Sequence, residues 1–373
     1  MRIVLSARVE MAVIGVALAV AVVPTPAAWV ERIYSTQVYV VGQRGVTAVS
    51  SLVGFSLLDP LAAGLLAGLA VWWWRALRRS GPGFRRRARA VGRMSLHTVA
   101  VAAALYLVFV AMWGLNYRRE PLAARLDFDR ARVSPEALAS LSYESVRRLN
   151  ALYEPAHAAS PWPSFEALPE RLGPAFERAQ RRLGATRLAV AGRPKATLLG
   201  VYFRRAGIDG MVNPFSLEVL VNQAVLPYER PFLVAHEWAH LAGYADEAEA
   251  NFVGVLVCLA GDAQSRYNAW LFLSQRLVQH LPPADRDRVW AGLDDGPRRD
   301  LRAIAARLRE AVPVVRRGFT RTYDRFLRAN RVDAGIDSYG LVVDLLLGTD
   351  GTPVWRELAG PLDPPAAPPS PSR

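Results

Sequence analysis

The sequence predicts a mostly α-helical protein in two parts. Residues 1–117 form a membrane domain of three transmembrane helices, and residues 118–360 form a mainly helical globular domain with a small β-sheet. Three observations lead there. The chain is 52% hydrophobic and only 21% charged, below the roughly 25% charge of ordinary soluble domains. Three apolar runs match the ~20 residues that cross a bilayer. After Tyr117 the apolar residues recur mostly at helical spacing, with two short β-rich runs among them.

The first span runs from Met11 to Val30 without a charge. Its apolar run is long for a signal peptide, so it reads as an uncleaved anchor. The second runs from about Phe55 to Trp74 and the third from Met94 to Tyr117. Tryptophans near the ends (Trp29, Trp72 to Trp74, Trp113) fit an interfacial belt. The net charge of +13 is uneven: residues 1–115 carry 12 arginines against 3 acidic residues. Eight of those arginines, from Arg75 to Arg93, lie between spans two and three. Positive residues in short loops stay cytoplasmic. The N-terminus is therefore expected inside the cell and the C-terminal domain outside. No basic patch interleaved with aromatics is present, which argues against nucleic acid as a partner. The single cysteine, Cys258, makes no internal disulfide.

Within the second part, Ser134-Pro135-Glu136 opens a helix, with a capping serine and a proline in the first turn. Ala196 to Phe203 and Leu217 to Asn222 are the β-rich runs, and the second could be an edge strand that pairs with an extended peptide. Helical periodicity then holds from Arg230 to about Leu347. The proline-rich end, Pro361 to Arg373, is expected to be disordered.

The chemistry concentrates in His236-Glu237-Trp238-Ala239-His240, followed by Leu241 to Phe252. Histidines four apart share one helix face and can reach a single ion. Zinc takes imidazole nitrogens at about 2.0–2.1 Å, and this spacing offers two. Glu237 stands about 100° further round the helix, where it faces a water rather than the metal. That suits a general base for amide hydrolysis. The apolar Phe232-Leu233-Val234 implies that this helix is buried.

A third ligand is needed. On a straight helix Glu247 would lie about 10 Å beyond His240. Gly243 permits a left-handed turn that reverses the chain. Asp246 and Glu249 then stand in capping-box spacing for a second helix. This leaves Glu247 free to point back as the third metal ligand. Asn251, one turn further on, could orient an imidazole. Asp246 is the alternative ligand, because it lies three residues after the glycine, as in metzincins. Candidates to stabilise an oxyanion are Tyr339, Tyr323, Tyr244 and His280.

Glu247-Ala248-Glu249-Ala250-Asn251 resembles the signature that supplies the third ligand in gluzincin-type peptidases. More widely, the chain is similar to a bacterial membrane-protein family, domain of unknown function 3810. The likeness rests on Trp113 to Arg118, Gly207 to Phe215, the block from His236 to Phe252, and Ser338 to Leu346. It implies a three-pass protein of the bacterial inner membrane with a zincin-like, peptidase-like domain. The expected function is a zinc-dependent metallopeptidase acting on a peptide or protein substrate. The alternative is a non-catalytic membrane protein whose zinc is structural or sensory.

Overall fold

The computed structural model describes residues 7–158, 161–332, 341–349 and 352. Tyr339 and the proline-rich end lie outside the described residues. The chain is mostly helical, with one small mixed sheet.

Helix α1 (Ala7–Val22) ends eight residues before the expected end of the first span. Pro24 and Pro26 follow it; proline lacks the amide hydrogen that continues a helix. The chain bends by 105° into α2 (Ala27–Ser51), which turns π-helical over Val30–Val38. Next come α3 (Leu58–Arg79) and α4 (Phe84–Met112). Helix α4 starts ten residues before the expected third span and stops five before its expected end. Arg85, Arg86, Arg87, Arg89 and Arg93 lie on its first turns, because arginine and alanine propagate a helix well. A one-turn 3-10 helix, Gly114–Arg118, follows it. Helices α3 and α4 are long and apolar enough to cross a membrane, and α1 with α2 makes a third candidate if the bent pair is one span. Helix α1 packs along α4, where Glu10 accepts a hydrogen bond from His97 Nδ1 at 2.8 Å.

Helix α2 departs from the expected membrane domain. Tyr39 donates to the Leu241 carbonyl at 3.0 Å, and Thr47 to the Leu217 carbonyl at 2.8 Å. Val30, Tyr34, Tyr39 and Val40 belong to the same core as the C-terminal domain. The globular part therefore recruits a segment from before α3.

That part begins with α5 (Pro135–Ala158), capped by Ser134 Oγ as expected, and α6 (Leu168–Arg182). The sheet holds β1 (Pro194–Lys195), β2 (Gly210–Asn213) and β3 (Glu218–Val221), in the order β1-β3-β2. β3 runs parallel to β1 and antiparallel to β2. Two expectations change here. The run Ala196 to Phe203 is not a strand. Only Pro194 and Lys195 pair with β3, and Asp59 then draws off Thr197 and Leu198 by hydrogen bonds into a turn before α7 (Gly200–Ala206). Leu217 to Asn222 does hold a strand, but it is the central one, so the edge near the site is β2.

Helices α8 (Arg230–Leu241) and α9 (Glu247–Leu259) fill the centre. Around them stand α10 (Ala263–Gln279), α11 (Pro283–Ala291), α12 (Asp295–Leu308), α13 (Pro313–Ala329) and α14 (Leu341–Thr349). Trp238, Phe252 and Tyr267 are fully enclosed. The motif helix is thus rigidly held on its apolar side.

Candidate metal centre

Helix α8 ends in a tight reversal. Gly243 has φ of 84°, its amide donates to the His240 carbonyl, and Tyr244 N donates to the Ala239 carbonyl at 3.1 Å. Asp246 then caps α9, its Oδ1 accepting from Ala248 N at 2.8 Å and Glu249 N at 3.2 Å. Glu249 does not complete a capping box; it turns away to accept from Leu122 N. At Gly254 an added Cβ would stand 3.2 Å from the His236 backbone. The missing side chain lets α9 press against α8 where the ligand set forms.

This packing brings His236, His240 and Glu247 together, with one donor atom from each inside a 4.8 Å group. Glu247 Oε2 lies 3.3 Å from His236 Nε2 and 3.6 Å from His240 Nε2. Yet Oε2 closes no hydrogen bond. His240 Nδ1 donates to the Tyr244 carbonyl at 2.7 Å, which turns Nε2 toward Glu247. The donor set of two imidazoles and a carboxylate can hold a metal ion. Asp246, the alternative ligand, is occupied as the cap. Asn251 stands beside His236, where it favours the protonated ring, but its Nδ2 and His236 Nδ1 close no bond.

Charge follows the geometry. Burial alone would raise the Glu247 carboxyl, but His240 and His236 outweigh it and hold it well below the usual carboxylate range. Burial opposes a charge on His240, and the Glu247 carboxylate overcomes this, lifting the ring to about 9. Burial dominates at His236 and lowers it. Glu237 is pushed up by burial to about 8, the nearby Glu247 and Asp209 carboxylates adding to it and His240 opposing it. Its Oε1 lies only 2.7 Å from where a Cβ on Gly210 would stand, so the first residue of β2 abuts this carboxyl.

Two partners could not be read from spacing. Tyr323 donates its hydroxyl to Glu247 Oε1, so this oxyanion candidate instead fixes the Glu247 carboxylate. Trp113, at the end of α4, donates its indole hydrogen to the His240 carbonyl at 3.1 Å. Tyr244 serves through its backbone carbonyl while its ring lies against Arg119. His280 is exposed at the end of α10, bonded to the Arg276 carbonyl. The blocks Trp113 to Arg118, Gly207 to Phe215 and His236 to Phe252 therefore meet at one place. Residues 34–347 match the family model described as protein of unknown function, DUF3810.

The chain belongs to the DUF3810 family. No curated protein and no solved structure matches it. The DUF3810 match takes in the whole cluster, Trp113 and Tyr323, and also α2 from Tyr34 onward, the helix from before α3 that completes the core.

Proposed function

We propose that the chain is a membrane-anchored zinc-dependent metallopeptidase with its globular domain outside the cytoplasm of a bacterial cell. The observation that carries this reading is the buried Glu247 Oε2, unbonded between two imidazole nitrogens, with a second buried carboxyl on the neighbouring residue Glu237. His236, His240 and Glu247 would hold the ion. Bound zinc supplies Lewis acidity to a water and to the scissile carbonyl.

The chain's own groups do the rest. Glu237 takes a proton from the attacking water and delivers it to the departing nitrogen. Tyr323 and Tyr244 fix Glu247 and His240, so the site is preorganised. As an edge strand of the sheet, β2 offers backbone groups to an extended peptide, and Gly210 sets that peptide beside Glu237.

Anchoring is supported by α1, α3 and α4, and the orientation by arginines at the end of α3 and the start of α4. A periplasm-dependent reporter fused to the C-terminus should be active, and a cytoplasm-dependent one silent. Glu237→Gln should retain about one zinc per chain and lose hydrolysis of a peptide library. Loss of zinc with activity would give Glu237 a ligand's role. Full zinc in the wild type without turnover of any peptide would favour the structural or sensory reading.

A further inference from the structure

Leu198 is 85% exposed, and beside it Leu199, Val201 and Tyr202 also face outward from the first turns of α7. Phe203 and Ala206 hold the opposite face of this short helix in the core. Val314, 70% exposed, stands on α13, which packs against α7 and is joined to it by the bond from the Val312 amide to the Arg205 carbonyl at 2.8 Å. Exposed apolar residues gathered this way mark a contact surface.

Its place in the fold says what covers it. Asp59, in the first turn of α3, accepts from Thr197 Oγ1 at 2.7 Å and from Leu198 N at 2.9 Å. Leu61, the next exposed leucine on α3, lies only about 3 Å along the axis from Asp59. None of the apolar window of α3 is buried in the protein. A bilayer that wets Leu61 and Leu66 therefore also reaches Leu198. Arg204 and Arg205 flank the patch on exposed positions, where they suit lipid phosphates. The other membrane helix agrees. From Met94 to Met112, α4 carries 19 residues without a charge, about 28 Å of rise, which puts Trp113 at the outer boundary of the hydrocarbon.

We infer that Leu198 to Tyr202, together with Val314, is seated in the outer headgroup layer of the bilayer beside α3. The candidate metal centre, tied to Trp113, then lies at the membrane surface. This rests on the anchoring reading above. Its lipid contact is additional to the spans, and a peptide reaching β2 would arrive along the bilayer.

Depth-dependent quenching on the full chain in liposomes tests it. Leu198→Cys and Leu66→Cys each receive a small fluorophore; Cys258 is fully buried and stays unlabelled. Lipids carrying a quencher at the headgroup or deep in the acyl chain are compared with aqueous iodide. Leu66 should respond to the deep quencher. Leu198 should respond to the headgroup quencher about twofold or more above the deep one, with iodide access cut about twofold relative to detergent. If Leu66 is quenched by lipid while Leu198 meets only iodide, this inference fails and anchoring stands. If lipid quenches neither site, anchoring fails and takes the inference with it.

Discussion

Two buried charge clusters lie a few elements apart and are built in opposite ways. At the sheet, Lys195 and Glu218 are wholly enclosed, and each charged group has at least two hydrogen-bond partners. Glu218 accepts from Lys195 Nζ, from Asn213 Nδ2 and from the amides of Leu57 and Leu58; Lys195 also donates to the Ser50 carbonyl. At the helix reversal, Glu247 Oε2, Glu237 Oε2 and His236 Nδ1 are equally buried but close no bond. Burying a polar atom without a partner costs about 1–3 kcal/mol, more when it is charged. The sheet cluster avoids that cost and staples the linker before α3 to the domain. The helix cluster accepts it, as the proposed metal site requires and a structural clamp does not.

Glu247→Ala gives the largest expected effect. It should lower zinc affinity by well over the roughly 100-fold that follows loss of a mere orienting partner. The metal-free protein should stay folded, as read by competition with a chelator and by thermal melting. If the metal-free variant unfolds, the contrast between the clusters breaks. Lys195→Met should do the reverse, costing about 3–5 kcal/mol by stranding the Glu218 charge. Retained zinc affinity in its folded fraction would sharpen the contrast.

Tyr323→Phe frees one oxygen of Glu247 and should weaken zinc binding about 10- to 100-fold. An unchanged affinity would mean that the tyrosine does not orient the ligand. Acid reads the sheet cluster separately. Burial alone would raise Glu218, but Lys195 and the other donors outweigh it and hold its carboxyl below the ordinary value. A group lowered on folding stabilises above its unfolded pKa of about 4.3, and that stability is lost as pH falls through the folded value. Urea midpoints of the wild type should fall more steeply below about pH 4.3 than those of Glu218→Gln. Parallel curves would remove Glu218 from the acid response. The smallest expected effect is Asp246→Ala, about 1 kcal/mol of thermal stability with zinc binding retained. Loss of zinc there would move the third ligand to Asp246.

The centre was legible because its parts are local. His236, His240, Gly243, Asp246 and Glu247 span two helix ends and one turn, so spacing nearly dictates their positions. Tyr323, 76 residues from Glu247, carried no such signal. The sheet misled for the same reason: which strand is the edge depends on pairing partners, and Ala196 to Phe203 finds none beyond Lys195. In the long apolar helices, composition located the apolar stretches but not where the helices stop. Arg85 to Arg93 read as a loop by charge, yet they continue a helix by propensity. Pro24 and Pro26 were visible in the sequence, and they end α1 although the apolar pattern runs past them.

Helix α2 has a consequence for how the chain is made. Its Tyr39 waits for Leu241, 202 residues later, and its Thr47 for Leu217, 170 residues later. Contacts of such long range form late, because loop closure must precede any gain from them. During synthesis the apolar face of α2 stays uncovered until α8 has been translated and folded. A polypeptide begun at Arg118 would lack α2 and would leave Leu241 and Leu217 without their cover. The globular core of this protein is therefore completed by a segment that the chain supplies before α3.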